Sequence, residues 1–325
     1  MIKVIEANET YYEKWDEFIQ KSTNGTIFHT RKFLSYHGDR FSSGEQFLII
    51  LKNNTLIGQI AIFVNEINGK KVAVSPYGAS YGGVVLQRQP SYSEGRAIIS
   101  ALIEYLKQNM ISEFIITPPI NCCSNVSLDT FYFNMLEQGF KIVNQDISSV
   151  VKFDDEPIID RITSKARQFS RKAINNNIKV ANESSDLDGY WVVMDKTFKK
   201  LGIKPTHTKE QLKNIMTLFP KRVFIDIAYK EDIPIAGITY FVINERVSSS
   251  FYLCQDPRYQ KYQALTLLVT NALQKFERKG YKYFDFGTSS ANMIARENIF
   301  SFKEQFSKSG YFRTTFKWQN SIVKY

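Results

Sequence analysis

Residues 223–288 contain the pattern that decides the fold. They read VFIDIAYKEDIPIAGITYFVI at 223–243, VSSSFYLC at 247–254, ALTLLVTNALQKFERKG at 264–280 and YKYFDFGT at 281–288. The β-branched and aromatic residues predict a hairpin that turns at 230–233, followed by a third strand. Apolar residues then recur at helical spacing from Leu265 to Phe276, which predicts a helix that Gly280 ends and a short strand after it. Hairpin, strand, helix and strand in this order predict an α+β unit.

The same order of elements occurs in the first half of the chain. Residues 46–117 predict a hairpin, a strand, a helix and a further strand. The two stretches share this order rather than identical residues, which indicates an internal duplication. An acidic segment with a proline follows at 154–160. We therefore place the domain boundary near residue 150 and predict domains at 1–150 and 151–325.

The composition is that of a globular protein with a positive net charge. Hydrophobic residues make up 43% of the 325 residues and aromatic residues 14%, which is enough for a sizeable core. The formal net charge of +10 favours nucleotide phosphates, tRNA or an acidic membrane surface as partners, and it also fits a role in solubility alone. The three cysteines form no ligand set with histidine, so no metal site is expected.

The expected location is cytoplasmic. No apolar run approaches the roughly 20 residues that cross a bilayer. The first residues, MIKVIEANETYYEKW, contain no continuous apolar stretch of the kind that signal peptides carry. These features leave two alternatives, a protein free in the cytoplasm and one that lies peripherally at the inner face of the membrane.

Five motifs resemble the FemAB-type branch of the GNAT acyltransferase superfamily, whose members carry two GNAT-like halves. They are FHTRKFL at 28–34, SPYGASYGG at 75–83, ITSKARQFSRKAINN at 162–176, FDFGTS at 284–289 and FSFKEQF at 300–306. The resemblance spans most of the chain and depends on the order of the motifs. It implies two GNAT-like domains in tandem, each a mixed, mostly antiparallel sheet flanked by helices. It also implies that the last strand, at 311–318, returns towards the first half.

The resemblance also implies a chemistry. FemAB-like proteins of bacteria move an acyl or aminoacyl group onto an amine of a cell-envelope precursor or sugar nucleotide, in peptidoglycan or polysaccharide biosynthesis. Such a reaction needs a group that stabilises the oxyanion, and the family assigns it to the lysine of a Phe-Lys pair that Phe302 and Lys303 match. Asp285, at a strand end, either accepts the proton of the amine or bonds a backbone N–H.

The acceptor, a nucleotide-linked or lipid-linked sugar or peptidoglycan precursor, is expected to meet basic and aromatic residues. In the family, a basic residue of the helix predicted at 161–176 helps to hold the acceptor diphosphate. Arg167 and Arg171 are equal candidates for this role beside Lys165, and a solvated charged face is the alternative. The remaining candidates for substrate binding lie on the opening helix, the glycine-containing loop and the third strand; they are Tyr36, Tyr77, Tyr81, Gly82 and Tyr252.

The segment that is expected to bind the acyl donor, called the donor segment below, departs from the GNAT pattern. CoA-binding members carry a glycine-rich [RQ]xxGx[GA] loop before the long helix, where backbone amides hold the pyrophosphate. This chain has PRYQKYQALT at 257–266, in which Arg258, Gln260 and Lys261 are the polar candidates. The absence of glycine argues against acetyl-CoA and is compatible with aminoacyl-tRNA, although an atypical CoA loop stays open.

Two rival functions remain open. One is a CoA-dependent N-acetyltransferase that acts on an amino sugar. The other is a protein without activity that keeps the fold and binds nucleic acid or the cell envelope. His207 lies in the predicted loop GIKPTHT, where a solvated side chain and a general base are the alternatives.

Overall fold

The computed structural model describes residues 1–320, which form two compact units. Within the described residues, unit 1 contains Met1–Ile147 and residues 312–320, and unit 2 contains Ser148–Tyr311. The sequence-based boundary near residue 150 stays a prediction about domains. Residues 321–325 of the second predicted domain lie outside the described part of the chain.

Unit 1 is a mixed sheet with helices. Its strands are β1 (Ile2–Glu6), β2 (Glu45–Lys52), β3 (Thr55–Ile67), β4 (Lys70–Ser75), β5 (Val85–Leu86) and β6 (Ile111–Ile116). Its helices are α1 (Glu9–Lys21), α2 (Arg31–Leu34), α3 (Tyr92–Gln108) and α4 (Asp129–Glu137), with short 3₁₀ turns at Ile27–His29, Ser35–Phe41 and Asn121–Cys123. The strand β7 (Lys141–Lys152) leads out of this unit into unit 2.

Unit 2 repeats the architecture. Its helices are α5 (Ile158–Arg161), α6 (Ser164–Asn175), α7 (Leu187–Leu201), α8 (Lys209–Leu218), α9 (Ala264–Arg278) and α10 (Glu297–Lys303), with a 3₁₀ turn at Pro257–Tyr262. Its strands are β8 (Ile178–Ala181), β9 (Val223–Lys230), β10 (Ile233–Val242), β11 (Val247–Gln255), β12 (Tyr283–Thr288) and the small hairpin of β13 (Ser290–Ala291) and β14 (Ile294–Ala295). The last strand, β15 (Gly310–Gln319), leads back into unit 1.

The strands of the two units follow one pairing scheme. In unit 1, β1, β2, β3 and β4 pair antiparallel in turn, β4 pairs parallel with β6, and β6 pairs antiparallel with β15. In unit 2, β8, β9, β10 and β11 pair antiparallel, β11 pairs parallel with β12, and β12 pairs antiparallel with β7. The predicted duplication and the mixed, mostly antiparallel sheets are therefore confirmed.

In each unit one strand pairs with a partner that lies far along the chain. Residues 316–319 of β15 pair with β6, although they lie some 200 positions later in the chain than their partners at 113–116. Residues 148–152 of β7 follow the first half directly, yet they pair with β12 at 283–288. Each unit is thus completed by a segment that is distant in sequence.

A long helix covers the core of each unit. In unit 2 the apolar face of α9 (Leu265, Leu268, Val269, Ala272 and Phe276) is buried against the sheet, as its 3.6-residue period predicts. Gly280, at φ +80°, follows the end of that helix. In unit 1 the corresponding face of α3 packs into a separate apolar core.

Local sequence sets where several of these elements begin and end. The helix expected at 161–176 begins only at Ser164, because the side chain of Thr163 accepts a hydrogen bond from the N–H of Ala166 and caps it. The helix α2 ends at Leu34, and the chain continues as a 3₁₀ turn. The strand β5 is limited to Val85–Leu86, because Gly83 at φ +92° interrupts the extended backbone before it.

Candidate active site

A pocket of about 440 Å³ lies in unit 2 where β11 and β12 separate. The two strands pair over three residue pairs, which end at Ser249 and Asp285. Next to this point Phe251 is an extra residue that forms a bulge against β10. Bulges are frequent beside active sites, where they re-aim side chains. The pocket walls are mostly apolar and include Leu253, Leu265, Phe286, Ile299 and Phe302.

Lys303 places an ammonium group in this pocket. It is the last residue of α10 and its side chain is only 4% exposed. Its Nζ donates hydrogen bonds to the carbonyl oxygens of Gly287 at 2.8 Å and Thr288 at 2.9 Å. An ammonium group carries three N–H donors, and the third has no acceptor within residues 1–320. One donor is therefore left for a ligand in the pocket.

Burial sets the charge state of this lysine. It lowers the pKa of Lys303 from 10.5 to about 8, because the ammonium loses much of its hydration. The carboxylate of Asp285 opposes this change, and the guanidinium of Arg296 adds to it. At neutral pH the side chain is still cationic, so it can stabilise a developing negative charge.

Asp285 supports the turn that Lys303 binds. Its carboxylate is buried, and Oδ1 accepts hydrogen bonds from the Ser148 hydroxyl at 2.6 Å and from the Gly287 N–H at 2.8 Å. Gly287 has φ +73°, a conformation that favours glycine. The carbonyl of this glycine faces the ammonium of Lys303. The geometry is therefore that of a backbone-binding carboxylate, and a role for Asp285 in accepting the amine proton stays a prediction.

Two polar side chains that the sequence reasoning missed also line the pocket. The hydroxyl of Ser250 and the Nε2 of Gln255 are buried, and neither has a hydrogen-bond partner within the described residues. Buried polar groups are rarely left unpaired, so a ligand or water is expected to satisfy them. The signal in the sequence was the run of serines in VSSSF, which interrupts an otherwise apolar strand.

The donor segment forms the 3₁₀ turn Pro257–Tyr262. Gln260 lines the pocket, whereas Arg258 and Lys261 do not. The guanidinium of Arg258 binds Asp256 through two hydrogen bonds of 2.8 and 3.2 Å, and Lys196 pairs with the same carboxylate at 2.9 Å. The hydrogen bond from Arg258 holds the pKa of Asp256 well below its usual range. Lys261 lies 5.2 Å from the ring of Tyr262.

These residues do not fit a pyrophosphate cradle of the glycine-rich kind. Gln263, which precedes α9, has φ +60°, and a Cβ stands where the GNAT pattern has none. Arg258, the arginine of this segment, is paired with the carboxylate of Asp256. No side chain caps the N-terminus of α9, so its N–H groups remain the one feature that would suit an anion.

The basic helix α6 does not contribute to the pocket lining. Arg167 donates from Nη1 to the carbonyl oxygens of Ile159, Asp160 and Ile162, so it fastens the end of α5. Arg171 and Lys165 are exposed, and Lys165 lies 5.6 Å from the ring of Phe169. Of the two candidates that the sequence left equal, Arg167 is bonded to backbone carbonyls and Arg171 is exposed; which of them binds the acceptor stays a prediction.

Tyr252 and His207 form a buried pair away from the pocket lining. The Tyr252 hydroxyl accepts a hydrogen bond from the His207 N–H at 3.1 Å and lies 2.9 Å from its Nδ1. His207 is 4% exposed, so the alternative of a solvated loop histidine is wrong. Burial raises the pKa of Tyr252 to about 12. Tyr252 therefore packs in the interior and does not line the cleft.

The candidates in unit 1 are held by internal hydrogen bonds. Tyr36 donates from its hydroxyl to the Gly78 carbonyl at 3.2 Å, and Tyr77 donates to Glu45 at 2.8 Å. Gly82 donates its N–H to the Thr117 carbonyl, and its own carbonyl lies 3.0 Å from Nε2 of His29; these contacts occupy both backbone groups.

Tyr81 has a cationic neighbour that sequence reasoning missed. The guanidinium of Arg313 lies 5.6 Å from the Tyr81 ring and donates to the Ser80 carbonyl at 2.6 Å. Arg313 therefore orders the SPYGASYGG loop within unit 1. Its only sequence signal was a basic residue in the aromatic strand at 311–318.

Two kinds of feature are absent from the described residues, and the cysteines form no disulfide bond. In residues 1–320, no group of three or more His, Cys, Asp or Glu side chains is placed to hold a metal ion. None of the helices in the described part of the chain has the length and apolar character of a membrane span. The three cysteines are free and buried, as their residue type predicts.

Comparison with protein families identifies the second unit. Residues 160–297 match the family model described as acetyltransferase (GNAT) domain. This range contains β9 to β12, helix α9 and most of the pocket. The chain matches none of the curated protein sequences with which it was compared.

Solved structures share the fold over the whole chain. FemX superimposes with a TM-score of 0.71 at 12% identity, and the match covers 98% of this chain and 97% of FemX. L-PGS from Bacillus licheniformis gives 0.59 at 13% identity, with 98% and 94% covered. A tandem GNAT protein from the clavulanic acid biosynthesis pathway gives 0.54 at 8% identity, with 98% of both chains covered.

At these identities the structures establish the fold, and the family model establishes the kind of domain. Both agree with the resemblance that the five motifs indicated. The pocket between the diverging strands and the buried lysine at its wall are consistent with that assignment. Residues 160–297 therefore match the acetyltransferase (GNAT) domain, in a chain that shares its fold with FemX and with a tandem GNAT protein.

Proposed function

We propose that the protein transfers an acyl or aminoacyl group onto an amine of a cell-envelope precursor or sugar nucleotide. The observation that carries this proposal is the ammonium of Lys303, which is buried in the pocket with one N–H donor left for a ligand. The amine nitrogen attacks the acyl carbonyl carbon, and the carbonyl electron pair moves onto oxygen. Lys303 donates to that oxyanion until the pair returns and the bond to the donor carrier breaks. The amine nitrogen gives up one proton, and the oxygen or sulfur of the leaving carrier takes up one proton, so the products are a neutral amide and the free carrier.

The acceptor is expected to be anionic. FemAB-like proteins use acceptors that carry a diphosphate, and the net charge of +10 favours such a partner. Within α6, Arg171 is the exposed guanidinium that can bind a phosphate in a bidentate manner, with Lys165 as a second cation. Arg167 is better suited to hold α5, because three backbone carbonyls already occupy it.

Aminoacyl-tRNA is the donor that the donor segment favours. The Pro257–Tyr262 turn lacks glycine, and Arg258 is paired with Asp256. An aminoacyl ester needs no pyrophosphate cradle at this turn. The uncapped N-terminus of α9 is the one observation that favours the second candidate, a CoA-dependent N-acetyltransferase acting on an amino sugar.

The first experiment is a thermal-shift titration with acetyl-CoA, free CoA and a panel of nucleotide sugars. A ligand that binds the folded state raises the unfolding midpoint in a concentration-dependent way. A shift with nucleotide sugars and none with CoA supports the proposal, and a shift with acetyl-CoA favours the acetyltransferase. The transfer assay then uses aminoacyl-tRNA as donor.

Variants test the role of the lysine in that assay. Lys303→Ala and Lys303→Gln should lower turnover by orders of magnitude, and Lys308→Ala, which removes an exposed lysine five positions later, should not. A folded Lys303→Gln protein with normal turnover would remove the role. Binding of tRNA with a steep salt dependence but no transfer of its amino acid would indicate a binding protein without activity.

A further inference from the structure

Two short segments of unit 2 expose large apolar side chains. The α7 tip (residues 199–204, KKLGIK) exposes Leu201 and Ile203 to 58% and 57%. The hairpin tip (residues 292–296, NMIAR) exposes Met293 and Ile294 to 63% and 71%. Apolar side chains of this size that protrude in groups mark a contact with another surface.

Both tips lie beside the pocket. Lys200 and Leu201 of the α7 tip line the pocket directly. The hairpin tip leads into α10, whose Asn298 and Ile299 line the same pocket. The two tips therefore belong to one rim, and whatever they contact lies at the pocket mouth.

The rim is basic. Lys199, Lys200, Lys204 and Arg296 are exposed, and none of them forms an ion pair with any of residues 1–320. The two tips contain no acidic residue, and the nearest carboxylates in the sequence are Asp195 and Glu297. Aliphatic side chains surrounded by unpaired cations suit a surface that is apolar inside and negatively charged outside.

We infer that the α7 tip and the hairpin tip dock the protein on an anionic lipid bilayer, with the pocket mouth facing the membrane. The aliphatic side chains enter the headgroup region while the basic ones contact lipid phosphates. A second copy of this chain is disfavoured, because it would bring like charges together. An RNA partner would use aromatic stacking, which these four aliphatic side chains do not provide.

This surface specifies the acceptor that the proposed function leaves open. If the proposed function holds, a pocket that opens towards the bilayer receives a lipid-linked amine rather than a freely diffusing one. The docking itself does not depend on that reaction, so it is measured separately.

The test is co-sedimentation of the full chain with vesicles. Phosphatidylcholine vesicles are compared with vesicles that also contain phosphatidylglycerol, at low and high salt. We expect binding to the anionic vesicles that salt weakens. Near an anionic surface each basic residue contributes about fivefold in affinity, so Lys199→Gln with Lys204→Gln should weaken binding about 25-fold.

The apolar tips are tested with Ile203→Ser combined with Ile294→Ser, which should lower vesicle binding at least tenfold. Ile174→Ser is the matched control, because Ile174 is 58% exposed on the basic helix α6 and lies outside both tips. Equal binding by the tip variant and the control would overturn the inference, as would binding that ignores lipid charge. Loss of a dimer in the tip variant would point to a second copy, and protection of the tips by tRNA alone would point to nucleic acid; either result overturns docking on lipid.

The two proposals fail in different ways. Wild-type protein that binds vesicles but transfers nothing rejects the proposed function and leaves docking in place. Wild-type protein that transfers to a nucleotide-linked acceptor but ignores vesicles rejects docking. The unfolding midpoint of each variant shows that it is folded.

Discussion

The buried ammonium of Lys303 makes a quantitative prediction about stability and pH. The folded protein holds the pKa of this lysine at about 8, against 10.5 for the free side chain. That difference of about 2.5, at about 1.36 kcal/mol for each pKa unit, is about 3 kcal/mol. The folded state therefore bears this free-energy cost wherever the lysine is charged in both states.

The sign of this pH dependence follows from the number of protons that the folded and unfolded states bind. Below pH 8 both the folded and the unfolded chain carry the proton, so the full cost is present. Between about pH 8 and 10.5 the unfolded chain binds more protons, so the contribution of Lys303 to the free energy of unfolding rises with pH. The gain should reach about 2 kcal/mol by about pH 9.5.

The perturbation is Lys303→Met, which keeps the side-chain length and removes the charge. It also leaves the Gly287 and Thr288 carbonyls without their donor, which costs about 1–3 kcal/mol at every pH. Urea denaturation of both proteins from about pH 7 to pH 9.5 measures the difference in free energy of unfolding. We expect that difference to grow by about 2 kcal/mol in favour of the wild type as pH rises.

The reasoning is refuted if the two proteins show the same pH dependence. Equal slopes would mean that Lys303 titrates in the folded state as it does in the unfolded chain. The same titration predicts that activity falls as pH rises through about 8, because the Lys303 cation that stabilises the oxyanion is lost there. A rate that rises through this range would assign the neutral amine to the chemistry.

Three further predictions concern the site in unit 2 and the glycine-containing loop of unit 1. Asp285→Asn removes the carboxylate that raises the pKa of the buried lysine, so the high-pH limb of the rate profile should move to lower pH; an unmoved limb would contradict this coupling. Gly78→Ala should lower the free energy of unfolding by more than about 1 kcal/mol relative to Gly69→Ala, because both glycines have positive φ but only a Cβ at residue 78 would meet His37. Urea midpoints of the two variants measure this difference, and equal losses of stability would argue against the clash. Ser250→Ala should leave the free energy of unfolding unchanged, because the hydroxyl has no partner within the described residues, and it should weaken binding of whichever donor the titration identifies; unchanged donor affinity would exclude the hydroxyl from the site.

Local patterns predicted the elements that build the site. The period of the residues from Leu265 to Phe276 identified α9, and the β-branched runs before it identified β9 to β11. Helical and strand patterns depend on residues that are close together in the sequence, so they can be recognised from the sequence alone. The order of the elements then sufficed for the fold class, because few topologies accommodate it.

The parts that sequence reasoning missed depend on partners far along the chain. Arg167 looked like a free cation, and only the structure shows the carbonyls of α5 around its guanidinium. Asp285 reaches Ser148, which lies 137 positions earlier. The unpaired hydroxyl of Ser250 is visible only when every neighbour has been placed. Hydrogen-bond partners of this kind are set by packing and leave no periodic signal.

The distance in sequence between β6 and its partner β15 has a consequence for synthesis on the ribosome. Residues 113–116 of β6 leave the ribosome about two hundred residues before their partners at 316–319. During that interval the edge of β6 exposes unpaired N–H and C=O groups, which is the kind of edge that recruits other nascent chains. In unit 2, by contrast, residues 148–152 of β7 are synthesised before their partner β12, so this pairing can form as soon as β12 emerges. The N-terminal unit therefore reaches its complete sheet last, against the usual N-to-C order of co-translational folding.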